Sequence, residues 1–363
     1  MTKVKSFLLK TKLKGFGIVN YDSNQQKWAY NQLENKEKVS HDNVNFAKKN
    51  WHEYTTKDGE KKLGYKLKIS SDCLRHEIFI DDFEYQTPNL MHHAHILIAS
   101  IASPASLIRG YLYTVKDVLN IKRTSALTIT DASQTCNAVS MIETFSRSGV
   151  KTTDDNKADT TFFKKETVGD IEYEALGSID LKELQFISLD KLFDRLAVES
   201  DWFTLYKELL QSKLPSFNGE PKYYQIKNSC VEIPELGVVL SNEDVVKLTK
   251  ELIARLLKIS IRRAKAYAKL TELYIKPVYD VLKDTAEDER GWIKIHSLED
   301  VENINFDMQV FYEEEDTEKA ELLRKDLGAL MEKVKEKNKA EKEKLSEEKK
   351  KKTKARKEIL DGQ

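Results

Sequence analysis

The chain has 363 residues, with 60 Lys and Arg against 60 Asp and Glu, 40% hydrophobic and 33% charged residues, and a formal net charge of zero. That length holds one large or two modest domains, and no run approaches the about 18 apolar residues of a membrane span, so no membrane partner is expected. Three widely spaced cysteines (Cys73, Cys136, Cys230) with no C-x-x-C pair indicate neither a zinc site nor a disulfide framework, and fit a reducing cytoplasm.

The neutral total hides an uneven distribution. Residues 1–75 hold 16 Lys and Arg against 8 Asp and Glu, so a local nucleic-acid footprint stays open. The N-terminus is basic, but its apolar run Phe7-Leu8-Leu9 is too short for a signal peptide. Val4 to Leu13 alternates Lys with apolar residues and reads as a first strand. Lys10, Lys12 and Lys14 share one face at period two, and Gly15 and Gly17 then permit a sharp turn. A basic strand face leading into a Gly loop suits a phosphate backbone; an ordinary solvated face has the same pattern. Residues of about 22–62 form a polar insertion. Its aromatics (Trp28, Tyr30, Phe46, Trp51, Tyr54) interleave with lysines, which suits stacking on single-stranded RNA or anchoring of the insertion to the core.

Leu63 to Phe79 reads as a strand and then a helix, with Ser70 or Ser71 as N-cap and Arg75-His76 on the helix. Asn89 can cap a following helix whose first turns hold His92, His93 and His95. His92 and His95 share a face, but no carboxylate or Cys stands beside them, so packing or phosphate contact is expected and no metal.

Ser100 to Ala132 is the stretch around which the chain is organised. It reads as a loop, a short helix, a basic turn and a strand. Pro104 presets the first helical turn. Leu107, Ile108, Tyr111, Leu112, Val115 and Leu119 recur at helical spacing and face the core. Ser106, Arg109 and Gly110 fall near the start of that helix, where backbone amides attract phosphate and Gly allows close approach. Lys122-Arg123 forms the basic turn, and Ala126 to Ile129 alternates as a strand. The competing reading is a surface turn with Arg109 paired to a carboxylate such as Asp117.

Glu143 to Ser148 (ETFSRS) includes Arg147 and Ser148. Lys151 to Lys157 is a polar loop, and Phe162-Phe163 beside Lys164-Lys165 has the form of an apolar wedge on a charged base. Ile171 to Ile187 holds a strand. Leu189 to Leu214 reads as amphipathic helix ended by Pro215. Tyr223 to Val231 and Gly237 to Leu240 read as strands. Ser241-Asn242-Glu243-Asp244 signals the N-terminus of a long helix, Val245 to Leu273. Arg255, Lys258, Arg262, Arg263, Lys265 and Lys269 give that helix a basic side, which serves either as a solvated face or as an RNA contact. Trp292 to Ile295 is a last strand candidate. Residues 279–317 are acidic, and 318–363 form a charged tail, helical or disordered.

The order of these motifs resembles the RAMP superfamily of CRISPR-associated proteins. S-L-I-R-G, a basic turn and L-T-I-T-D-A match its Ser-Leu-Arg-Gly helix and strand ending in Asp-Ala. Leu74-Arg75-His76 and the segment Thr160 to Ser188 strengthen the likeness. Within the superfamily the chain is most similar to the backbone subunit of Cascade-type complexes, the seventh Cas family, in a type I variant. The resemblance covers roughly Val4 to Leu273.

It implies an α+β fold: an RRM-like (ferredoxin-like) antiparallel sheet with helical and hairpin insertions and a charged C-terminal helical tail. The body would be 1–278, with insertions at about 22–62 and 136–170. It implies a non-catalytic CRISPR RNA-binding subunit without cofactor, which oligomerises head-to-tail along the guide, joins other Cascade-type subunits and presents the guide for pairing with a target nucleic acid. Its RNA ligands would be Arg109, Lys122, Arg123, Ser106, Gly110, Arg75, His76, Lys12, Lys14, Arg147, Ser148, Phe162 and Phe163.

Two other functions compete. A RAMP-type endoribonuclease would need a His base with a Gly-rich loop, or a loop Asp. Gly is sparse after Gly237, and Asp22 is the one candidate Asp. A plain interaction scaffold would use the charged tail.

Overall fold

Strands β1 (Ser6–Phe16), β12 (Asp170–Asp180) and β17 (Ala266–Val278) lie side by side and organise the fold. The computed structural model describes residues 3–22, 44–82, 93–115, 119–150, 158–227 and 233–327. In chain order the remaining strands are β2 (Tyr21–Asp22), β3 (Val44–Ala47), β4 (Lys49–Thr55), β5 (Lys61–Ile69), β6 (Tyr111–Val115), β7 (Leu119–Arg123), β8 (Leu127–Ile129), β9 (Ala132–Gln134), β10 (Ser140–Val150) and β11 (Ala158–Val168). After β12 come β13 (Phe186–Ser188), β14 (Lys222–Ile226), β15 (Glu235–Val239) and β16 (Ser260–Arg263), and after β17 come β18 (Ile293–Ile295) and β19 (Tyr312–Glu314). The helices are α1 (Ser71–Ile78), α2 (Ala94–Ile101), α3 (Pro104–Arg109), α4 (Leu181–Gln185), α5 (Phe203–Gln211), α6 (Asn242–Leu257) and α7 (Leu298–Asn303).

Among the described residues the main sheet has nine strands. Its order is β16-β17-β1-β12-β9-β5-β4, with β18 paired to β17 and β8 to β12. A second sheet joins the long hairpin β10–β11 to β3 and β2, a third runs β13-β15-β14-β19, and β6–β7 is a separate hairpin. The α+β class expected from the sequence holds.

Alternation explains β1. Phe7, Leu9, Thr11 and Leu13 are buried, while Lys12, Lys14 and Phe16 are exposed. Phe7, Leu9 and Leu13 join the same core cluster as α6, whose Val245, Leu248, Leu252, Ile253 and Leu256 are buried at helical spacing. Ser241 starts α6 with a capping box to Asp244, as its sequence signals. Ser70 likewise caps α1, its hydroxyl accepting from the Cys73 amide at 3.4 Å.

Three helical expectations are corrected. The helix expected through Leu119 is six residues long and ends at Arg109. Gly110 follows at φ 70°, and a β-carbon there would stand 2.6 Å from the Arg123 carbonyl oxygen. The chain then turns into β6–β7, where Tyr111 pairs with Arg123 and Tyr113 with Ile121. Leu112 is consequently 67% exposed rather than in the core. The basic pair Lys122-Arg123 lies in a strand, not a turn.

The long helix also stops early. It ends at Leu257, and residues 260–278 form the hairpin β16–β17. Ile259, Ile261, Ala268 and Leu270 are buried at a spacing of two on each arm, and β17 gains β1 as partner along its length. Extended pairing with a distant strand outweighs the helix propensity of the Arg, Lys and Ala residues. Likewise, of the amphipathic stretch 189–214 only Phe203–Gln211 is α-helical.

The acidic segment 279–317 returns to the body. Ile293–Ile295 pairs with β17, Tyr312–Glu314 with β14, and Met308 bridges Val4. A helix begins at residue 317 and is described to 327, where Arg324 pairs with the buried Asp190. Asn89, His92, the loop 151–157, Trp28, Tyr30, Asp117, Cys230 and the tail beyond 327 lie outside the described residues.

Candidate nucleic-acid interface

Residues directly opposite each other in an antiparallel pair share a face. From β1 to β17 the outward pairs are Phe16 with Tyr267, Lys14 with Lys269, Lys12 with Glu272 and Lys10 with Tyr274. From β16, Arg262 stands opposite Tyr267 and Ser260 opposite Lys269. Phe16 and Tyr267 are 47% and 51% exposed. Together Phe16, Arg262, Arg263, Lys265, Tyr267 and Lys269 line an open groove of about 700 Å³ at this end of the sheet. Gly17 follows Phe16 at φ 71°, and a β-carbon there would meet the Lys265 carbonyl at 2.7 Å.

The hairpin β10–β11 stands beside this groove. Lys265, in the β16–β17 turn, places its ammonium 4.4 Å from the centre of the Phe145 ring on β10. Further along the sheet face, Lys10 sits over Trp292 at 4.9 Å, and Lys12 and Lys294 lie over Tyr274 at 5.9 and 5.4 Å. The face therefore alternates cations with flat rings, the pairing that phosphates and unstacked bases require.

Carboxylates temper the charge. Lys12 and Lys294 flank Glu272 at 2.9 and 2.6 Å. Their hydrogen bonds, that of Lys294 first, pull the Glu272 carboxyl down to about 2. Lys14 pairs with Glu172 at 2.7 Å, and that hydrogen bond raises its ammonium above the usual value.

The other sequence candidates are distributed differently. Arg109 closes α3 rather than opening it, is 8% exposed, and has the Asp82 carboxylate 4.0 Å from its Nε. Its helix is entered at Ser103, whose hydroxyl accepts from the Ser106 amide, so the phosphate argument from helix-start amides does not apply to Arg109. Ser106 is 3% exposed and donates its hydroxyl to the Ser100 carbonyl at 2.8 Å.

Arg123 is buried. It donates to the carbonyls of Leu107, Phe186, Glu183 and Leu184 and so ties α3 to α4. Arg75 donates to the Ser125 hydroxyl and to the Leu127 and Arg109 carbonyls. The signature arginines thus hold the backbone of the motif, with Gly110 as its left-handed joint. Lys122 is partly exposed and bonds Asp194 at 2.6 Å. His76 is exposed in the last turn of α1.

Lys12 and Lys14 are brought to the groove face as the alternation predicts. Arg147 and Ser148 stand in β10 opposite Thr161 and Thr160, and Phe162 and Phe163 in β11 opposite Ser146 and Phe145. For these four the description stops at the backbone. Phe46 is buried, in keeping with an anchoring role, and the Trp51 ring lies tilted at 56° to that of Tyr65, centres 5.4 Å apart.

Arg262, Arg263, Lys265, Tyr267 and Phe16 were missed as one site. The signal was present: Ile261, Ala268 and Leu270 alternate with Arg262, Tyr267 and Lys269, a period of two that the helix reading passed over. Among the described residues no group of three His, Cys, Asp or Glu stands together as a metal site, and no helix is long and apolar enough to cross a membrane.

Residues 3–284 match the family described as type I-Fv CRISPR-associated protein Cas7fv-like. No curated protein matches the chain. A solved chain titled CRISPR RNA-guided surveillance complex aligns over 78% of each chain at 8% identity, with a TM-score of 0.33, a likeness too low to build on. The family match spans most of the sequence, the groove and every strand of the main sheet except β18, and the chain belongs to the Cas7fv-like family of type I-Fv CRISPR-associated proteins.

Proposed function

We propose that the chain is a non-catalytic CRISPR RNA-binding backbone subunit that holds the guide on the outward face of its main sheet. One observation carries the reading. Lys14 and Lys269 stand directly opposite each other, next to the exposed rings of Phe16 and Tyr267 and the guanidinium of Arg262. Like charges opposite each other on a sheet repel; Glu172 offsets part of that at Lys14, and an anionic strand between the lysines would offset the rest. The rings supply faces for splayed bases, and the hairpin β10–β11 is the thumb-like element beside them.

A ferredoxin-like body is supported by the central order β17-β1-β12-β8, with α3 between β1 and β8 in sequence and α6 between β12 and β17. In this reading copies line up head-to-tail on the guide and meet other Cascade-type subunits. The protein reads backbone geometry, and the guide pairs with the target. Lys12, Lys14 and Lys122 stay within the RNA-contacting set, joined by Arg262, Arg263, Lys265 and Lys269. Arg75 and Arg123 act by shaping the adjacent backbone, and Arg109 is buried beside the Asp82 carboxylate.

Oligouridine binding by the full chain, followed by fluorescence anisotropy over a range of KCl, tests this. The Arg262→Ala/Lys269→Ala variant should bind more weakly, with a salt slope shallower by about 0.7 for every phosphate that it no longer neutralises. A folded variant with parental affinity and slope would move the interface elsewhere.

A further inference from the structure

Glu166 and Lys49 form a buried ion pair at the root of the hairpin β10–β11. Their side chains are 4% and 5% exposed, and the ammonium lies 2.7 Å from Oε1. The same carboxylate accepts from the Ser140 hydroxyl on β10 and, through Oε2, from the Ala47 amide at 2.9 Å on β3. The Tyr21 hydroxyl on β2 donates to the Glu166 carbonyl at 3.2 Å. Lys49, on β4, is enclosed by rings, its nitrogen 4.4 Å from the centre of Tyr65, 5.8 Å from Phe46 and 5.9 Å from Trp51. One side chain of the hairpin thus ties together strands of two different sheets.

The rest of the hairpin's described backbone anchorage is slight. Its strands pair with each other along eleven positions. Outside that ladder, β11 meets β3 only at Lys164 and Lys165, and the Val168 carbonyl accepts from Gly17. From Glu166 to Ala158 the arm runs eight residues, roughly 27 Å at strand rise, so a tilt of about 10° at its root moves the far end by about 5 Å. A buried ion pair adds little stability over an apolar pair of the same volume, and its best-attested use is to specify one arrangement among several.

We propose that Glu166 and Lys49 are positioning residues that set the angle of the hairpin over the sheet face, and through it the hold on single-stranded RNA. The inference rests on the reading that the hairpin borders the RNA groove. Alternative tilts would leave the ammonium or the carboxylate without its partner, a large penalty in a closed apolar surround. The pair therefore works as a detent rather than as glue.

Lys49→Met/Glu166→Leu removes both charges at similar volume. Nitroxides carried on non-canonical residues at Ser146 and Glu243, both exposed, report the distance from hairpin to α6 in the full chain. The expected result is parental circular dichroism, a lowered melting temperature because the Ala47 amide and the Ser140 hydroxyl lose their acceptor, a broadened distance distribution, and several-fold weaker oligouridine binding. A folded double variant with the parental distribution would overturn the proposal. Broadening with parental RNA affinity would support the positioning role and sink instead the reading that the hairpin touches RNA. Glu166→Gln keeps shape and a carbonyl acceptor but leaves the Lys49 ammonium without its counter-charge, so it should lower the melting temperature while broadening the distribution to a smaller extent. If the double variant fails to fold while Glu166→Gln keeps the parental distribution, the pair serves stability and the proposal falls.

Discussion

Arg75 donates from Nη2 to the carbonyl oxygen of Arg109 at 2.8 Å. One arginine of the signature motifs therefore binds the backbone of another at the point where α3 ends and Gly110 turns the chain. The last carbonyls of a helix have no partner within it, and Arg75 satisfies one of them while also bonding Ser125 and Leu127. The motif is held from inside.

Arg75 and Arg123 should therefore act on stability before binding. Arg123→Ala abandons four carbonyls of the core and should cost about 3 kcal/mol or more, and Arg75→Ala about 2–3 kcal/mol. Arg123→Lys should recover little, because an ammonium lacks the planar fork that reaches several carbonyls at once. Urea unfolding measures both; parental midpoints with lost RNA binding would reverse the assignment.

Gly110→Ala should destabilise by about 2 kcal/mol or more, from positive φ and from the clash with β7. A β-carbon would lie 2.6 Å from both the Arg123 carbonyl oxygen and the Ser125 amide nitrogen, and neither backbone atom can move without disturbing the hairpin. An unchanged unfolding midpoint would show that the joint relaxes.

Glu272 gives the sheet face an acid limb. Its carboxyl is held down to about 2, first by Lys294 and then by Lys12, against an ordinary value of 4.5. A depressed folded value means that the stabilisation is fully present above the ordinary value and is lost as pH falls from about 4.5 toward 2. Glu272→Gln should flatten the loss of stability in that window. It should also tighten oligouridine binding at neutral pH, since Lys12 and Lys294 are released to phosphate. Weaker binding by the folded variant would mean that the carboxylate orients the lysines rather than neutralising them.

The sequence by itself determined whatever depends on short spacing: the period-two alternation of β1 with its lysines outward, the caps at Ser70 and Ser241, and the motif order that pointed to the CRISPR backbone family. It did not decide the fate of residues 107–119 and 258–273, because Arg, Lys, Ala and Leu at those spacings suit a helix as well as a strand. Tertiary structure decided both. Tyr111 and Arg123 close a hairpin that Gly110 starts, and Ala266–Val278 lies against β1, a partner some 250 residues earlier in the chain. The groove exists only after that pairing sets Phe16 beside Tyr267 and Lys14 beside Lys269. The burial of Arg109 and Arg123 and the meeting of Lys49 with Glu166 are long-range outcomes of the same kind, since local sequence carries no signal of which distant carbonyl or carboxylate will close over a charged side chain.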